Sequence, residues 1–91
     1  MSAEDYPPRN VELLIRDFKG KIISGIVTSI DPRQKTVRVS KVQILEIVGL
    51  KKGLDPIYGV KKKTGGFEVL SLESISHWEL LPDYLKQEDT K

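Results

Sequence analysis

His77 is the only histidine of the 91-residue chain and cysteine is absent, so nucleophilic or metal chemistry has almost no donors to work with. A lone imidazole beside Trp78, with no second ligand of its kind, reads as a structural or surface residue. The adjacent carboxylates Glu88 and Asp89 fall in a polar stretch with no apolar frame to raise a pKa, which argues against an acid–base pair. The glycines Gly65-Gly66 follow three lysines without the spacing of a phosphate-binding loop. The expectation is therefore a non-enzymatic protein with no catalytic residue, no metal and no cofactor.

Two other groups of residues suggest binding. The lysines Lys51, Lys52, Lys61, Lys62 and Lys63 flank Tyr58, a spacing that would let ammonium groups track phosphates while the ring stacks on a base. The charge distribution supports a polyanion partner. Residues 16–63 carry twelve Lys/Arg against four Asp/Glu, within a chain whose net charge is only +2. The opposing view is that lysines in a glycine-rich segment simply keep a loop soluble. The second group is apolar: Leu14, Ile23, Val27, Leu45 and Ile47 alternate with residues that already supply one core face. A sheet this small buries one face in its own core. The other face would need the long loop, the segment around Leu85, a second barrel or a partner helix laid over it.

The elements that must position these residues are strands. Val11, Leu13 and Ile15 alternate onto one face, and Asp17-Phe18-Lys19-Gly20 supplies turn chemistry. A second strand runs from Lys21 to Ile30 and is interrupted by Gly25, which permits a sharp bend. Asp31-Pro32-Arg33-Gln34 is a turn, and Lys35 to Ser40 alternates with Val37 and Val39 inward. The β-branched pattern continues to Val48. Residues 49–66 hold five of the seven glycines and five lysines, and read as one long loop. Phe67–Leu72 gives a fourth strand, Glu73-Ser74-Ile75-Ser76 a tight turn, and His77–Leu81 a fifth strand stopped by Pro82. The expected architecture is all-β: a five-stranded, strongly bent barrel over residues 11–82, with its long loop between strands 3 and 4. An extended lead-in occupies residues 1–10 and a polar tail residues 83–91.

Gly20 to Asp31 (GKIISGIVTSID) resembles the first Sm motif, a strand opened by Gly, bent at a second Gly and closed by Asp. Val69 to Leu81 (VLSLESISHWELL) resembles the second, a short strand, a one-turn hinge and a final strand. Ring-forming Sm and LSm proteins read a base with an Asn after the turn Asp and an Arg-Gly pair at the hinge. Here Gln34-Lys35 and Glu73-Ser74 stand at those places, and a carboxylate at the hinge opposes phosphate. The chain is more similar to adaptor-type LSm domains, such as the N-terminal ones of mRNA-decapping scaffolds, which capture short leucine-rich helical motifs. The resemblance implies an interaction module of cytoplasmic mRNA decay, standing at the head of a longer scaffold, with a weak RNA contact as an addition. Gemin-type Sm-fold subunits of snRNP assembly, working as heterodimers, are the competing resemblance.

An acidic N-terminus without an apolar stretch is not expected to act as a signal peptide. No apolar run approaches the roughly 20 residues that span a bilayer. Without cysteine, a disulfide-stapled secreted scaffold is not expected, which favours the cytoplasm, the nucleus being the other option.

Overall fold

In a computed structural model, which describes residues 6–86, the chain forms six antiparallel strands. These are β1 (Glu12–Asp17), β2 (Ile22–Asp31), β3 (Thr36–Leu50), β4 (Pro56–Lys63), β5 (Phe67–Ser71) and β6 (Ile75–Leu80). Single 3₁₀ turns at Leu72–Ser74 and Asp83–Leu85 complete it. The hydrogen-bonded order is β4-β3-β2-β1-β6, and β5 also pairs with β3. The all-β class is as expected. The strand count is not, and among the described residues no ladder joins β5 to β6 to close a five-stranded ring.

Turn chemistry explains the tight connections. Asp17 Oδ1 accepts the backbone N–H groups of Lys19 and Lys21 at 2.9 and 2.8 Å, and Gly20 supplies the positive φ of 90° that the turn requires. Asp31 Oδ1 likewise accepts from Arg33 and Gln34. At the hinge, Ser71 Oγ accepts the N–H of Glu73 and so caps the turn that swings the chain from β5 into β6.

The expected loop at 49–66 is corrected. β3 runs on to Leu50, only a short turn intervenes, and β4 occupies Pro56–Lys63. Glycine and lysine content suggested a loop, but β4 has what a strand needs: Tyr58 and Val60 fall on one face, and the outer half of β3 offers an unpaired edge. One edge of β3 is thereby divided, with residues 36–40 pairing β5 and residues 43–50 pairing β4. The division falls at Lys41-Val42, where β3 carries an extra residue relative to β2: Ser24 faces Gln43 while Ile26 faces Ser40. The turn after β4 is pinned there, since the Val42 carbonyl accepts from the N–H groups of Thr64 and Gly65 and from Thr64 Oγ1.

The curled sheet buries apolar side chains on both faces. One cluster joins Leu13, Ile15, Ile23, Val27, Val37, Val39, Val42 and Ile75. The other joins Leu14, Ile22, Leu45, Tyr58 and Leu81, with Leu85 packed against it. Of the expected lead-in and tail, residues 1–5 and 87–91 lie outside the described residues. Pro7 is buried and Asn10 donates to the Val27 carbonyl at 2.9 Å, so the described lead-in lies against β2. The 3₁₀ turn Asp83–Leu85 rests on β4 rather than trailing away as a polar tail.

Candidate interaction surface

Cross-strand register decides which of the proposed binding residues are available. Residues paired across a ladder share a face. Ile15 pairs with Ile23 and Leu14 with Ser24, so Ile23 and Val27 belong with Leu13 and Ile15, not with Leu14. The expected exposed strip is corrected accordingly: Leu14, Ile23, Val27 and Leu45 are all buried, split between the two clusters. Only Ile47, 49% exposed, remains at the surface. The second face is covered from within the chain, by Tyr58 of β4 and by Leu81 and Leu85 beyond β6.

Ile47 is not isolated. It pairs with Tyr58, and Leu45 pairs with Val60, which places Leu45, Ile47, Tyr58 and Val60 on one face of the β3–β4 hairpin. Leu45 and Tyr58 form its buried floor, and Ile47 and Val60 (38% exposed) its rim. Val48 lies on the opposite face, where its Cγ1 comes within 3.0 Å of the position a Cβ on Gly59 would take. Leu50 and Leu54 add exposed apolar surface toward the hairpin tip. Alternation across Tyr58-Gly59-Val60 was the available sequence signal for Val60; the glycines on either side obscured it.

Tyr58 is corrected as a stacking residue. Its ring is buried, its hydroxyl accepts from Arg16 Nη2 at 2.9 Å, and its backbone N–H donates to Tyr84 Oη at 2.9 Å. Tyr84 also receives Lys51, whose Nζ lies 5.6 Å from the ring centroid. Tyr84 thus clasps the 3₁₀ turn to β4. Tyr84→Phe is expected to leave the Tyr58 N–H without its partner, at a cost of about 1 kcal/mol. Amide hydrogen exchange at Tyr58 should accelerate severalfold; an unchanged rate would show that the clasp does not hold β4.

Lys52 is exposed in the turn before β4, and Lys61, Lys62 and Lys63 are exposed on β4 itself. Lys62 and Lys63 pair with Ile44 and Gln43, while Lys61 is the extra residue of a bulge, so the three do not form one basic row. Charged residues on an edge strand discourage unwanted sheet pairing. His77 is exposed and its Nε2 lies 2.9 Å from Glu79 Oε1. Among the described residues, no group of three His, Asp or Glu side chains is arranged to hold a metal ion, and no helix is long and apolar enough to cross a membrane. Neither a family model nor a curated protein matches the chain.

Proposed function

We propose that the chain is an Sm-like domain acting as a non-enzymatic interaction module of mRNA decay, taking a leucine-rich amphipathic helix from the decapping machinery on the β3–β4 hairpin. The observation that carries this reading is the apolar rim of Ile47 and Val60 standing over the buried Leu45 and Tyr58. Leucines at i, i+3 and i+4 of a helix would extend that cluster outward and bury the rim. The Sm-like part of the reading is supported by the two motif-like segments, by the one-turn hinge between β5 and β6, and by the pairing of β6 with β1. A heterodimeric Sm-like assembly is the second reading, favoured by the edge of β5 that pairs with no strand among the described residues, and by its exposed Phe67 and Val69.

Titration of the ¹⁵N-labelled domain with leucine-rich helical peptides tests the first reading. The expected shifts cluster on residues 45–60. Ile47→Asp and Val60→Asp should each weaken binding by at least tenfold, as for a central contact of an interface, while melting stays near that of the parent. Phe67→Asp should leave peptide binding intact and break only edge pairing. Absence of shifts at about millimolar peptide would overturn helix capture.

A further inference from the structure

Beside its apolar cluster, the second face carries a polar row. Register aligns Leu14, Ser24, Gln43 and Lys63 across β1, β2, β3 and β4, so these side chains share that face. Leu14 lies in the cluster. The other three open into a cleft of about 430 Å³, which Glu12, Lys41 and Leu85 also line. That volume falls within the range of small-ligand sites, roughly 300–1,000 Å³.

The cleft is built rather than incidental. Ser24 is a polar side chain only 4% exposed, on the strand that forms the floor. At the extra residue of β3, two positions before the Gln43 that pairs with Ser24, Lys41 adopts a left-handed backbone (φ 56°), a conformation that costs a non-glycine residue energy and often re-aims a side chain at a functional site. The three hydrogen bonds to the Val42 carbonyl fix the turn that follows Lys63. Among the described residues, neither Lys41 nor Lys63 is in ion-pair contact with a carboxylate, and Glu12 has no basic partner. Lys41 and Lys63 are both exposed and line the same cleft, so one anion held there can meet both ammonium groups; phosphate has the charge and acceptors to do so. An unpaired carboxylate on the same wall calls for hydrogen-bond donors on the same ligand. Gln43 offers both donor and acceptor, and Leu85 an apolar contact.

We propose that this cleft binds a ligand of nucleoside-monophosphate chemistry, its phosphate on Lys41 and Lys63 and the donors of its base toward Glu12 and Gln43. The site is separate from the hairpin rim and does not depend on helix capture. The nucleotide is either free in solution or part of an RNA strand, and two probes distinguish these sources.

The labelled domain would be titrated with the four ribonucleoside 5′-monophosphates, with inorganic phosphate, and with a short oligoribonucleotide lacking terminal phosphates. Saturable shifts at residues 24–26, 41–43 and 63–65 are expected with at least one mononucleotide or with the oligonucleotide, and whichever binds tighter identifies the source. Lys41→Ala and Lys63→Ala should each weaken binding about tenfold, and Glu12→Gln should remove the preference among bases. Lys19→Ala, in the exposed β1–β2 turn, should change nothing. Inorganic phosphate binding as tightly as any nucleotide would overturn the proposal, as would an equal loss from Lys19→Ala or no saturable shift at about 10 mM ligand.

Discussion

Ile23→Asp is expected to unfold the domain. Ile23 is buried in the first cluster, paired with Ile15 on β1 and with Ile44 on β3, and packed among Leu13, Val27 and Val39. Removing the side chain alone would cost about 2–5 kcal/mol. The carboxylate adds a desolvation penalty of several kcal/mol with no cation in the cluster to answer it. A domain of this size has on the order of 5–10 kcal/mol to lose. Circular dichroism and amide dispersion should both report an unfolded chain at room temperature. Leu14→Ala, in the second cluster, should stay folded but melt on the order of 10–30 °C lower. The same Asp at Ile47 should barely move the melting temperature. A folded Ile23→Asp domain would mean that this position faces solvent and that the cluster assignment is wrong.

The second large effect is expected at Gly25. A Cβ there would stand 2.4 Å from Val39 Cγ1 and 2.8 Å from the Ser40 carbonyl oxygen. Val39 is fully buried, so its methyl has nowhere to turn, and the carbonyl belongs to backbone beside the β2–β3 register shift. Gly25→Ala must therefore push β2 away from β3, at a cost of roughly 1–3 kcal/mol, and Gly25→Val more. Gly66→Ala is the control, since a Cβ at Gly66 meets nothing within 4 Å. Urea unfolding should place the midpoint of Gly25→Ala well below the parent and that of Gly66→Ala close to it. A Gly25→Ala loss below about 0.5 kcal/mol would show that the strands separate there freely.

Both effects depend on the way β2 crosses β3, and this is where reading along the chain reached its limit. The glycine-bent second strand, the Asp-led turns at Asp17 and Asp31, the alternation from Thr36 to Ser40 and the existence of a hinge before the last strand were legible, because each rests on neighbours a few residues apart; the turn expected at Glu73–Ser76 lies at Leu72–Ser74, with Ile75 and Ser76 already in β6. β4 was not. Its composition resembles a loop, and its reason to be a strand is the edge that β3 presents to it. The candidate site suffered in the same way. Alternation states that Leu14 and Ile15 point to opposite faces; it does not state that Ile23 shares a face with Ile15, which is a matter of register.

The all-β class and an apolar content sufficient for two faces followed from the sequence alone. Which residues stay exposed was decided only in three dimensions. Tyr58 and Leu81 reach the second face from positions 44 and 67 residues beyond Leu14, and Leu85 follows them, so the apolar strip closes over itself. On that second face, the rim at Ile47 and Val60 and the polar cleft at Ser24, Lys41 and Lys63 remain open. The physical reason is that side-chain direction follows from local backbone geometry, whereas burial depends on which distant segment packs on top.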